Sequence, residues 1–181
     1  MRRLLVLLTA LAVAGALSVS AAFAASPHFK KGGSPTCIVS TSGATSSTTC
    51  SASLAGLGQE SLEIDVTVKG FAVYSCQNPS TKNEPKGQNK VLVGPVTSPT
   101  TIPADQIKNG NVSFTTNAAV LSAPDTVSGT AAGCNNDSWT GVNPTLTVTD
   151  ISMTISQGGN LLFTCTANNP NGLSGTVPLN C

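Results

Sequence analysis

The six cysteines, Cys37, Cys50, Cys76, Cys134, Cys165 and Cys181, are the side chains with the most chemistry open to them. Thiolates either hold metals or join as disulfides, and spacing separates the two uses. A structural zinc site draws on thiolates roughly two to four residues apart, with histidine making up any shortfall. This chain has no Cys-x-x-Cys, and His28 is its only histidine. An even set of widely spaced cysteines reads instead as a disulfide framework. Spacing does not fix the pairing, but chain neighbourhood ranks the choices. In "TCIVSTSGATSSTTC" a Ser/Thr/Gly turn separates two short strands, which sets Cys37 opposite Cys50 as the hairpin closes. Cys181 follows "NNPNGLSGTVPLN", a run of turn formers that frays unless tied, and Cys165 ends the strand before it. Cys165–Cys181 is therefore the second expected pair. Cys76–Cys134 remains, closing the longest loop at about 4 kcal/mol in the chain-entropy account.

Other chemistries find little support. A serine or cysteine nucleophile needs a base held beside it, and the single imidazole stands in "ASPHFKKGGSP", a Pro/Gly/Lys segment that reads as a flexible tail over residues 25–35. Ser-x-x-Lys is absent. Glu63 and Asp65 lie two apart on one strand face, about 7 Å from each other and near the inverting-glycosidase range, but on a face expected to be solvated and without aromatic platforms. "GLGQES" begins like a phosphate loop yet lacks the third glycine and a following lysine, so it reads as a turn. Asn135, Asn136 and Asp137 in "CNNDSW" supply oxygen donors in no known calcium-loop order, and read as an Asx turn beside a disulfide. No catalytic residue, metal or cofactor is expected, and an unfamiliar hydrolase ranks lowest among the functional readings. Trp139 and Tyr74 are the only large amphipathic side chains and, with His28, the candidate surface contacts.

These residues must be positioned by strands. In "LEIDVTVKGF" Leu62, Ile64, Val66 and Val68 alternate with Glu63, Asp65, Thr67 and Lys69, the pattern of a half-buried strand. "FAVYSC", "KVLVGPV", "NVSFTT" and "LLFTCT" repeat it less cleanly, each bounded by Gly, Pro or Asn. In "TLTVTDISMTIS" the apolar phase slips at Asp150, from Leu146 and Val148 to Ile151, Met153 and Ile155. A bulge there, or a crossing between sheets, keeps both halves facing a core. Gly158-Gly159 then predicts a hairpin between residues 151–157 and 160–166. The expected fold is all-β: one disulfide-stapled, immunoglobulin-like sandwich of about seven or eight strands over residues 36–181. The Cys and Trp spacing of antibody domains is missing, since Trp139 lies only five residues after Cys134.

The opening "MRRLLVLLTALAVAGALSVSAAFA" has a basic start, an apolar run and an Ala-x-Ala end, which reads as a secretory signal peptide over residues 1–24, with an uncleaved anchor as the alternative. Cleavage removes both arginines and leaves seven lysines facing eight carboxylates. The lysines are scattered, so nucleic acid is not an expected partner. Nor is a membrane, once the leader is gone.

Together "ASPHF", "LAGLGQESLEIDVTVKG", "YSCQNP", "IPADQIKNGNVSF" and "GCNNDSWT" leading to "VTDISMTI" make the chain resemble an uncharacterised family of small secreted bacterial proteins with an Ala-Ser-Pro-His-Phe mature N-terminus. The resemblance spans nearly the whole mature chain. It implies export and a β-rich domain, brings no activity with it, and makes His28 less idle than its tail setting suggests. The function expected is a secreted, non-catalytic binding or structural module of the bacterial exterior, with an unknown extracellular or envelope partner. The alternative is a small inhibitor or effector acting on a foreign protein through the loop of residues 77–90.

Overall fold

The alternation of residues 62–69 continues for a further eight residues, to Gln77, with every even-numbered side chain from Leu62 to Cys76 buried. This strand is the spine of the fold. The computed structural model describes residues 26–80 and 85–181; the leader over residues 1–24 lies outside them. In chain order the strands are β1 (His28–Phe29), β2 (Thr36–Ser42), β3 (Thr45–Ala55), β4 (Leu62–Gln77), β5 (Val91–Ile102), β6 (Val112–Thr115), β7 (Ala119–Ser122), β8 (Val127–Ser128), β9 (Thr140–Gln157), β10 (Asn160–Leu173) and β11 (Gly175–Pro178), with one helical turn, α1 (Gly129–Ala132), between β8 and β9. One sheet runs β1-β3-β2-β11, with β6 and β7 also on β3; the other runs β10-β9-β4-β5, with β8 on β9. All pairings between these strands are antiparallel. The inner faces bury Leu54, Phe114 and Leu121 from the first sheet with Ile64, Val66, Val148, Ile151 and Met153 from the second, in one cluster. The chain is thus an all-β, two-sheet sandwich.

The phase slip at Asp150 is a bulge within β9. Lys69 pairs with Asp150 and Gly70 with Val148, which leaves Thr149 as the extra residue. Burial then restarts at Ile151, so both halves of β9 face the unbroken inner row of β4. The irregularity crosses the whole sheet. The β4–β5 ladder shifts between Val68 and Gly70, and the β9–β10 ladder between Asn168 and Leu173. Aligned bulges of this kind bend a sheet locally and raise its twist. The outer edge strand β5 carries Pro95 and Pro99, residues that cannot donate to a further strand.

The three expected disulfides are present: Cys37–Cys50, Cys76–Cys134 and Cys165–Cys181. Cys37 and Cys50 sit on one rung of the β2–β3 hairpin, whose turn is Gly43-Ala44. The second hairpin forms as expected, with Gln157 facing Asn160 and both Gly158 and Gly159 at positive φ. Such a framework belongs to an oxidising compartment. Among the described residues no helix is long and apolar enough to cross a membrane.

Two expectations are revised. Of the segment 25–35, expected as a flexible tail, the part from His28 to Gly33 is tied to β3: His28 and Phe29 pair with Ala55 and Leu54, the Lys30 amide donates to the Ser53 carbonyl, and the Ser53 amide donates to that of Gly33. Gly32, at φ 73°, makes the reversal, and the Phe29 ring packs on Phe163 at 4.5 Å between centroids. Among the described residues the strand count is eleven rather than seven or eight, because β1 and β8 hold only two residues each and β7 and β11 only four, too few to show an alternation to read.

Candidate functional site

The outer face of β4 carries an apolar and cationic strip that begins where the sheet bends. Counting in twos from Leu62 turns Phe71 and Val73 outward, with Thr147 and Thr145 of β9 opposite them. On the other side Leu92 of β5 pairs with Phe71 and is 85% exposed. Lys90 lies over the Phe71 ring, its Nζ 4.2 Å from the centroid, a cation–π contact. Lys86 joins it on the rim, because the chain returns along β4: the Cys76 amide donates to the Pro85 carbonyl and the Gly87 amide to that of Tyr74. The result is a groove of ≈ 470 Å³. Among the described residues neither lysine has an ion-pair partner.

A second groove, of ≈ 330 Å³, continues along the same face between Thr67, Lys69, Asp150, Ser152, Thr166 and Asn168. The two adjoin across one step of the strands, from Phe71 and Thr147 to Lys69 and Asp150. From Thr67 to Ser75 the trough measures about 27 Å of extended strand. Among the described residues its one carboxylate is already engaged. Asp150 accepts from the Thr149 hydroxyl at 2.7 Å and from the Asn168 amide, and Lys69 Nζ stands 3.6 Å away. Partial burial works to raise its pKa, but the bonds from Thr149 and Asn168 and the charge of Lys69 outweigh it, leaving the carboxyl below its ordinary value.

The sign of this shift fixes a pH effect. A carboxylate with a depressed folded-state pKa stabilises the fold above its unfolded value, near about 4, and loses that contribution as pH falls through the folded value. The stability gap between the wild type and Asp150→Asn should be constant from pH 7 down to about 4 and shrink below it. Urea titrations at a series of pH values check this. A gap independent of pH would show that the Asp150 charge contributes nothing.

The residues singled out from sequence are scattered. His28 is exposed at the β1 edge, its Nδ1 2.8 Å from the Ser26 carbonyl oxygen. Tyr74 is not a surface contact: it is 1% exposed, its hydroxyl donates to the Pro124 carbonyl at 2.9 Å, and burial followed by the nearby Asp125 raises its pKa. The reason is parity, since Tyr74 shares the even phase of Leu62. Trp139 is half-buried against the core near the Cys76–Cys134 bridge. In the neighbouring turn Asn136 accepts from the Ser138 amide and hydroxyl, and Asp137 from Thr130, so these oxygens serve the turn itself. Glu63 and Asp65 are exposed among Thr101, Ser156, Pro99 and Thr154, with no aromatic ring on those rungs. Gly58 is held by Gln157, whose side chain accepts from its amide and donates to its carbonyl. Among the described residues no group of three or more His, Cys, Asp or Glu side chains is placed to hold a metal ion.

The trough is marked in the sequence by strand phase and not by the chain's largest amphipathic side chains, Trp139 and Tyr74. Phe71 and Val73, apolar at odd positions of a strand whose even positions are the core, were the available signal. No family model matches the chain, and no curated protein matches it.

Proposed function

We propose that this is a secreted, non-catalytic binding module of the bacterial exterior that engages its partner through the outer face of the β10-β9-β4-β5 sheet. The observation that carries the reading is the trough: half-buried Phe71 and Val73 on the central strand β4 and exposed Leu92 on the neighbouring strand β5, beside two lysines that have no ion-pair partner among the described residues. Exposed apolar surface rimmed by polar groups is a mark of interaction sites. β4 is hydrogen-bonded on both sides, and the framework is closed by three disulfides, so the face is presented with little freedom left to lose on binding. The immunoglobulin-like type of sandwich, export by the leader and kinship with the Ala-Ser-Pro-His-Phe family belong to the same proposal. So does the expectation of no cofactor and no nucleic-acid partner.

The test is sedimentation of the oxidised protein, lacking residues 1–24, with isolated envelopes of the bacterium that makes it. Saturable sedimentation of the oxidised form, lost on reduction and alkylation, is the expected result. A protein that stays in solution at every envelope concentration would remove the envelope reading. It would turn attention to the inhibitor alternative, which one observation favours: the second half of the 77–90 loop is pinned, with Pro85, Gly87 and Asn89 bonded to β4 and α1. An inhibitor slows a target enzyme at near one-to-one ratio.

A further inference from the structure

We infer that the trough takes an anionic polysaccharide, its negative charge facing Lys86 and Lys90 and its sugar rings lying along Phe71 and Val73. The inference rests on the reading of the chain as an exterior binding module and names the ligand class of that surface. Charge comes first. Lys86 and Lys90 are both exposed, and among the described residues the groove they rim has no carboxylate in its lining. The adjoining groove contains one, Asp150, which is matched by Lys69, Thr149 and Asn168. Among the described residues, a ligand running the length of the trough therefore meets two positive charges without an ion-pair partner and one neutralised pair.

The rim decides between a glycan and an acidic peptide. β4 is laddered to β5 on one side and β9 on the other from Leu62 to Ala72, so it has no free backbone edge for an extended peptide to join. What the trough offers is side chains: the hydroxyls of Thr145, Thr147 and Ser152, groups that both donate and accept and so suit the many hydroxyls of a sugar chain, beside the Thr67 hydroxyl, bonded to that of Thr97, and the Asn168 amide, which donates to Asp150. Lysine is a compact point charge with no preference for carboxylate over phosphate geometry. The shared chemistry is therefore a polyanionic glycan, charged through uronic carboxylates or phosphodiesters. The other outer face, of the β1-β3-β2-β11 sheet, has a groove of ≈ 390 Å³ lined by Thr36, Ser51, Ser53 and Ser113, without a charge or an exposed ring to name a ligand.

The experiment titrates the oxidised protein with polygalacturonate, glycerol-phosphate teichoic acid, dextran and polyglutamate. Polygalacturonate or teichoic acid should bind, identifying the source of the charge, with affinity falling as salt rises; dextran should bind at least tenfold more weakly. Lys86→Gln combined with Lys90→Gln should weaken the polyanion at least tenfold. Lys31→Gln combined with Lys108→Gln, the same change in charge on exposed lysines outside the trough, should leave it within twofold. Unchanged thermal melting of both variants confirms that they fold. Equal losses in the two variants, no binding of either polyanion, or polyglutamate binding as tightly as the glycans would each overturn the inference. If envelopes still sediment the Lys86→Gln/Lys90→Gln protein and neither polyanion binds, the ligand assignment fails while the module reading stands. If the polyanions bind and envelopes do not, the module reading fails and the ligand assignment stands.

Discussion

Replacing Cys76 and Cys134 together by alanine should cost about 4 kcal/mol of stability, the largest loss of the three disulfides. The bridge joins residues 58 apart, against 13 for Cys37–Cys50 and 16 for Cys165–Cys181. Removing a cross-link returns loop entropy to the unfolded chain, and that entropy grows with the logarithm of the loop length, so each shorter bridge is worth about 3 kcal/mol. For a chain of this size about 4 kcal/mol corresponds to a fall in melting temperature of roughly 8–16 °C. Alanine is the right replacement because Cys76 is 2% exposed and a serine hydroxyl there would add a desolvation cost of its own. The same bridge fastens the α1 region to β4 where the returning chain carries Lys86 and Lys90, so the variant should also bind polyanions less tightly at temperatures where it remains folded. Thermal melts of the three double-alanine variants side by side decide the matter. If the Cys76 pair is no costlier than the Cys37 pair, the chain-entropy ranking is wrong for this protein, and the longest loop is already restricted when unfolded.

Much of the fold was legible because its strongest signals are local. The alternation of β4 is read directly, and so is the one-residue slip at Asp150, since a strand facing one core must spend an extra residue to change phase. Gly158-Gly159 announced its hairpin, and chain neighbourhood ordered the cysteines correctly. What stayed hidden lacked contrast. In β3 the inward row begins Ser46 and Thr48, buried hydroxyls that give no apolar stripe, and Thr48 Oγ1 has no hydrogen-bond partner among the described residues. β1 and β11 are short pieces placed by partners far along the chain, Ala55 for His28 and Val39 for Gly175. The trough divides in the same way. The outward phase of Phe71 and Val73 can be counted from Leu62, whereas the approach of Lys86 and Lys90 depends on the chain folding back along β4, which no local pattern carries.

Gly70 links the bend of the sheet to the trough, and Gly70→Ala should be the most damaging single change of a small residue. A Cβ at this position would stand 2.0 Å from the Thr147 carbonyl oxygen, 2.9 Å from its carbon and 3.0 Å from the Val148 Cα. All three are backbone atoms, so no side chain can swing aside; β9 itself must move. Overpacking of this kind costs about 3 kcal/mol, and here the movement falls on the register shift where Thr149 is extruded. Thr147 also lines the trough opposite Phe71. Gly70→Ala should therefore lower stability by about 3 kcal/mol and, in the fraction that folds, weaken polyanion binding as β9 shifts away. Gly159→Asn is the control. Its φ of 78° suits asparagine better than any branched residue, no atom lies within 4 Å of the added Cβ, and the loss should stay below about 1 kcal/mol. Urea titration of both variants, with binding measured below the midpoint, separates the two effects. Wild-type stability in Gly70→Ala would mean that β9 yields freely, and that the bend across β5, β4, β9 and β10 is held by the bulges alone rather than by the close approach of Gly70 to Thr147.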